Sequence, residues 1–132
     1  MLAGRIGPWL PSLLRRRLLR AEAQIEDAVR ALAALLPRGS RVLDAGAGEG
    51  RYRALFAHCR YSGVDRAIGD PRWDYSQLDS IADLSELPFA DESFDALINL
   101  VVLEHVFEPD RVLKEFARVL KPGARVLIAV PL

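Results

Sequence analysis

The spacing of apolar residues changes once along the chain, and the change divides it. From Ser12 they recur at steps of three and four: Leu14, Leu18, Ala21, Ile25, Ala28, Val29, Leu32, Leu35 and Leu36. That period predicts a helix, with Arg16, Arg20, Glu26, Asp27 and Arg30 largely elsewhere on its wheel. Glu26 and Arg30 form a supportive i,i+4 pair, and Pro37 and Gly39 stop the helix. Ahead of it, Gly4, Gly7, Pro8 and Pro11 predict an irregular arm. Beyond residue 37, short apolar runs alternate with amphipathic stretches. Strands are expected at 41–45, 61–64, 81–82, 96–100 and 125–130, and helices at 51–58 and 109–120. The last helix places Val112, Leu113, Phe116, Ala117 and Leu120 on one side. Nearly continuous apolar strands between helices imply α/β architecture, a doubly wound parallel sheet covered on both faces. About five strands are expected in a core over 38–132, preceded by an arm and helix over 1–37, all as one domain.

Bulk charge narrows the function classes. The 132 residues carry 18 basic and 18 acidic side chains. A net charge of zero gives no general attraction to nucleic acid or to an anionic membrane. No nucleic-acid partner is expected. Cys59 is the sole cysteine, which excludes an internal disulfide and a multi-cysteine zinc site. No apolar run approaches the ~20 residues of a membrane span, so the expected setting is the cytoplasm. The first 20 residues hold Arg5, Arg15, Arg16, Arg17 and Arg20 and no acid. Those arginines interrupt any signal-peptide core. A transit peptide is a minor alternative. The helix reads as packed on the sheet with a solvated basic end; whether the arm covers a substrate stays open.

The chemistry concentrates where apolar runs end. Arg41-Val42-Leu43-Asp44-Ala45 runs into Gly46-Ala47-Gly48-Glu49-Gly50, a strand ending in an acid and then glycine at every second position. Such a loop lets a ligand approach the backbone closely. Its spacing is G-x-G-x-G, because Arg51 stands where a dinucleotide fingerprint would have glycine. Asp65 ends Tyr61-Ser62-Gly63-Val64, about twenty residues after Asp44, and Asp83 opens Asp83-Leu84-Ser85-Glu86-Leu87-Pro88-Phe89. Then come Phe94 to Asn99, Leu103-Glu104-His105-Val106 and Arg118-Val119-Leu120-Lys121-Pro122-Gly123.

In this order the series resembles the class I S-adenosylmethionine-dependent methyltransferases, specifically the methyltransferase type 11 group, over residues 38 to 132. The resemblance implies a Rossmann-like fold and S-adenosylmethionine as cofactor, with S-adenosylhomocysteine as product. That family's sheet has seven strands, the last two forming an antiparallel hairpin beside strand five. Here the sequence stops after strand five, so it resembles the N-terminal half to two-thirds of such a fold. Strand five is then expected as an open edge, which could pair in a homodimer.

By the same resemblance, Gly46, Gly48 and Gly50 wrap the methionine part of the cofactor, and Asp44 supports that loop. Asp65 is placed to accept both ribose hydroxyls; its alternative is a plain turn residue. Asp83 matches the acid that accepts from the adenine amine, with the Leu84 N–H donating to the ring. Asn99 ends the fourth strand next to the sulfonium. Trp73 or Tyr75 either stacks on adenine or covers the core. His105 is a candidate general base, with a structural histidine as the default, and no catalytic residue is assigned. A related group carries Glu-x-x-Glu-His as a metal site. Val101 replaces the first glutamate here, so no metal is expected. The expected function is methyl transfer to a small-molecule or glycan-like acceptor. The alternatives are a non-catalytic module of the same fold and a nicotinamide oxidoreductase; Arg51 and the Asp83–Phe89 element argue against the second.

Overall fold

The computed structural model describes residues 11–131. A long helix, α1 (Ser12–Leu35), leads into β1 (Arg41–Ala45). A 3-10 turn (Arg53–Phe56) connects to β2 (Arg60–Asp65), and an irregular segment reaches β3 (Ser80–Ile81). Then come β4 (Phe94–Leu100), a 3-10 turn (Leu103–His105), α2 (Pro109–Val119) and β5 (Leu120–Ala129). The sheet order is β3-β2-β1-β4-β5, every pair parallel. The chain steps outward from β1 to β3 and then returns to β4 on the other side of β1. That reversal puts the switch point of the sheet between β1 and β4, and the carboxyl ends of such strands are the usual ligand position in open α/β sheets.

Strand alternation assigns the two faces. Val42, Ala96 and Ile98 pack with Val29, Leu32, Ala33 and Leu36 of α1 and with Phe56. Leu43, Ala45 and Leu97 pack on the other face with Val112, Phe116 and Val119 of α2 and with Leu84 and Leu87. Each fully buried aliphatic or aromatic side chain contributes about 1.5–3 kcal/mol relative to its exposed state. Both faces of the central strands are therefore apolar, which is why these runs carry little polar alternation.

Three expected elements come out differently. The predicted 51–58 helix is reduced to the Arg53–Phe56 turn. Arg51 is drawn to Glu22 and Glu26 of α1 at 3.6 and 3.7 Å, while Arg53 is drawn the other way, to the Gln77 carbonyl and Asp79. The tight i→i+3 bonds Arg53 N–H to Gly50 O and Cys59 N–H to Phe56 O fit this short span. Strand β5 begins at Leu120, because Leu120 already pairs with Phe94 and a register shift before Ala96 absorbs the Pro122-Gly123 stretch. Within α1 only Val29, Leu32 and Ala33 are buried, so the first half of the expected packing face lies clear of the sheet. Among the described residues no helix is long and apolar enough to cross a membrane.

Candidate functional site

The switch point between β1 and β4 carries the glycine loop. Gly46, Gly48 and Gly50 all adopt left-handed φ, at 86°, 53° and 72°. The Gly46 and Ala47 N–H groups donate to the Val64 carbonyl at 2.8 and 3.0 Å, which ties the loop to β2. A Cβ on Gly46 would lie 2.6 Å from Val102 Cγ2, so only glycine fits the approach made there. Val102 reaches that place because Val101 turns the chain with a φ of 57°, a costly conformation for a β-branched residue. The Val101 N–H donates to the Ala129 carbonyl at 2.7 Å, which helps hold the turn. In the sequence Val101 stands out only as a replaced metal ligand; its strained turn leaves no compositional signal.

At the end of β2, Asp65 Oδ2 accepts the Gly48 N–H at 2.9 Å and Oδ1 accepts the Ala67 N–H at 3.0 Å. The structure thus brings Asp65 onto the glycine loop. Asp44 lies near the carboxyl end of β1, at the root of that loop. It is buried and accepts the Tyr61 hydroxyl. Burial pushes its pKa up to about 7; the Tyr61 hydrogen bond opposes the rise, Asp65 adds to it and Arg53 opposes it. The Tyr61 phenol is raised in turn, by burial first and then by the Asp44 charge. Arg53 covers the Tyr61 ring at 4.6 Å and pairs with Asp79, which also accepts the Gly63 N–H at 2.8 Å.

Across the switch point, Asn99 is fully buried at the end of β4. Its Nδ2 donates to the Ala45 carbonyl at 2.8 Å, while Oδ1 has no partner among the described residues. A buried acceptor without a donor is costly, and one at a strand end beside the switch point suits a ligand donor.

The Asp83–Phe89 element borders the β3 side. Asp83 Oδ1 accepts the Ser85 N–H and hydroxyl, and these bonds hold its carboxyl below the usual range. Arg66 Nε stands 3.5 Å from Oδ2. The Leu84 side chain is buried in the core on the α2 face. Two α2 residues clamp the Leu87–Phe89 backbone. Glu115 accepts the Leu87 N–H at 2.7 Å, and Arg118 donates to the Leu87 and Phe89 carbonyls at 3.0 and 2.8 Å. Trp73 and Tyr75 meet edge to face with centroids 6.1 Å apart and close over Gly69, whose N–H donates to the Tyr75 hydroxyl at 2.8 Å. Glu49 of the glycine loop accepts the Asp74 N–H at 3.0 Å and so tethers this segment.

His105 is exposed, with Nε2 3.7 Å from Glu104. Among the described residues no group of three or more His, Cys, Asp or Glu side chains is arranged to hold a metal. A groove of about 400 Å³ lined by Ala33, Leu36, Leu55 and His58 lies between α1 and the turn after the glycine loop, away from the strand ends.

Comparison with known proteins gives one consistent family. Residues 43–128 match a family model described as a methyltransferase domain. The tRNA (carboxymethyluridine(34)-5-O)-methyltransferase of Arabidopsis thaliana is 40% identical over 102 residues, covering 72% of this chain and 25% of that protein. A demethylmenaquinone methyltransferase of Clavibacter sepedonicus is 38% identical over 103 residues, covering 68% and 40%. Among solved structures, the complex of the Haloferax volcanii Trm112 methyltransferase activator with its partner protein matches with a TM-score of 0.64 and 28% identity, covering 84% of this chain and 55% of that one. The chain spans less than half the length of these two curated relatives.

Proposed function

The chain belongs to the methyltransferase-domain family, class I and S-adenosylmethionine-dependent, and from that premise we propose that it is the cofactor-binding part of an enzyme that methylates a small-molecule or glycan-like acceptor. The observation that carries the reading is the Asp65–Gly48 hydrogen bond, which joins the carboxylate at the end of β2 to the glycine loop at the end of β1. A ligand with an amino-acid end and a ribose can be gripped across that junction.

The residues present fit the cofactor. The loop of Gly46, Gly48 and Gly50 offers backbone to the methionine part, and Asp44 underpins it through Tyr61. Asp65 retains lone pairs on both oxygens for ribose hydroxyls. Asp83 and the Leu84 N–H border the place for adenine. Asn99 offers its unpaired Oδ1 to a donor on the cofactor or acceptor. S-adenosylmethionine supplies a methyl group on a sulfonium, already activated for in-line displacement. What remains for the protein is orientation, exclusion of water and proximity, which together can supply about 7–11 kcal/mol of a barrier. A hydroxyl acceptor must lose its proton as the methyl group arrives, and exposed His105, beside Glu104, is the candidate base for it.

We place the protein in the cytoplasm on the same reading, and a second copy along the β5 edge, where Val126, Ile128 and Val130 are exposed. Calorimetric titration with S-adenosylhomocysteine, with NADH as control, tests the cofactor assignment. Saturable binding of the homocysteine compound alone is expected. Failure to bind it by a chain with an intact circular-dichroism spectrum, or binding of NADH, would overturn the reading. Sedimentation equilibrium tests the dimer; a monomer at all concentrations removes it.

A further inference from the structure

The zero net charge conceals a segregated one. Arg15, Arg16, Arg17 and Arg20 are all exposed on the first half of α1, with no acid before Glu22 and none in the first turn. That arrangement opposes the helix dipole, which favours acids at this end, so helix stability does not account for it. Leucines share the same stretch. Leu13, Leu14 and Leu19 are 75%, 47% and 38% exposed, and Leu18 is only half-buried. At 100° per residue Leu14 and Leu18 continue the stripe of Ile25, Val29 and Leu32, Arg15 and Arg17 flank it, and Arg16 and Arg20 fall opposite, with Leu13 and Leu19 on the arginine side. The apolar stripe therefore outruns the core it serves lower down.

The position of this half-helix is informative. Its end near Leu36 is held at the start of β1, where His58 Nε2 lies 3.0 and 3.1 Å from the Ala33 and Leu36 carbonyls. Its middle is held at the level of the glycine loop, where Glu22 and Glu26 meet Arg51. The ten residues from Ser12 to Ala21 then run on by about 15 Å, past the ends of the strands.

We propose that the Ser12–Ala21 half of α1 is a membrane-binding segment that attaches the domain to an anionic lipid bilayer. An anionic interface satisfies both exposed groups at once: phosphates meet the arginines, whose stems can snorkel, and the acyl boundary takes the leucines. A nucleic acid would satisfy only the arginines. This role belongs to α1 alone and does not depend on cofactor binding.

Co-sedimentation of the full chain with vesicles decides it, using phosphatidylcholine alone and phosphatidylcholine containing about one-third phosphatidylglycerol. Binding to the anionic vesicles only is expected, weakened by salt. The triple variant Arg16→Glu/Arg17→Glu/Arg20→Glu should bind about 100-fold more weakly, and Leu14→Ser/Leu18→Ser should lose binding as well. The three arginines are exposed, so circular dichroism should be unchanged in the triple variant even if the leucine variant loosens the helix. No binding by the folded chain, or vesicle binding indifferent to the triple variant, overturns the proposal. Tighter binding to an RNA hairpin that survives the leucine changes also overturns it, in favour of a nucleic-acid arm.

Discussion

The Gly48 N–H donates to Asp65 Oδ2 at 2.9 Å, so the ends of β1 and β2 meet through one carboxylate. A carboxylate bonded to backbone amides is strong as an acceptor and fixed in direction. Asp65→Asn keeps the shape and removes the charge. Charge-assisted hydrogen bonds are worth about 1.5–3 kcal/mol, so the variant should bind S-adenosylhomocysteine at least about tenfold more weakly by calorimetry. Unchanged affinity would leave Asp65 as a loop staple only.

Gly46 and Val102 form a second junction, between the loop after β1 and the chain after β4. Gly46→Ala meets two costs: a left-handed φ of 86° and a Cβ 2.6 Å from Val102 Cγ2. Overpacking costs about 1–3 kcal/mol, and the backbone strain adds about 1–3 kcal/mol. Urea denaturation should show the sum. Gly46→Ala combined with Val102→Ala should recover the overpacking part and keep the rest. A double variant no better than the single would assign the whole cost to the backbone.

Much of this arrangement is legible in the sequence, because strand-end acids and a glycine loop mark where an α/β sheet opens. Asp44, Asp65, Asp83 and Asn99 do fall at or just past strand ends. The depth of Asp44 is not legible. Alternation turns it to the α1 face with Val42, where Tyr61 waits seventeen positions away in the chain. Nor is the turn at Val101, since a left-handed valine violates local preference. Periodicity also overstates α1: Leu14 and Leu18 keep the stripe, but the sheet ends before it reaches them. The segment after Gly50 has helical composition, yet opposite pulls on Arg51 and Arg53 leave it a 3-10 turn.

Arg118 and Glu115 hold the Leu87–Phe89 backbone against α2 through bonds to one N–H and two carbonyls. Arg118→Met removes the donors and keeps much of the stem packing. A loss of about 1–3 kcal/mol is expected, and hydrogen exchange should quicken over residues 86–91 before it changes elsewhere. Uniform quickening across the sheet would mean that the clamp supports the whole domain and not this segment.

Asp44 makes stability depend on pH in a direction opposite to most carboxylates. Its pKa is raised from the usual 3.8 to about 7 in the folded chain, chiefly by burial, with Asp65 adding and Tyr61 and Arg53 opposing. Below about pH 4 the group is protonated in both folded and unfolded chains and contributes no difference. Between about 4 and 7 the folded chain holds the extra proton, so stability falls as pH rises through that window, and the full cost is present above about 7. Asp44→Asn should remove this slope and stabilise the protein at pH 8, by up to about 4 kcal/mol, while changing little at pH 4. Urea midpoints of both proteins across that range measure it. Tyr61→Phe takes away the bond that favours the ionised form, so it should raise the Asp44 pKa further and carry the loss of stability on to higher pH. A parallel offset between wild type and Asp44→Asn at every pH would show that Asp44 is ionised throughout and that Tyr61 and Arg53 outweigh its burial.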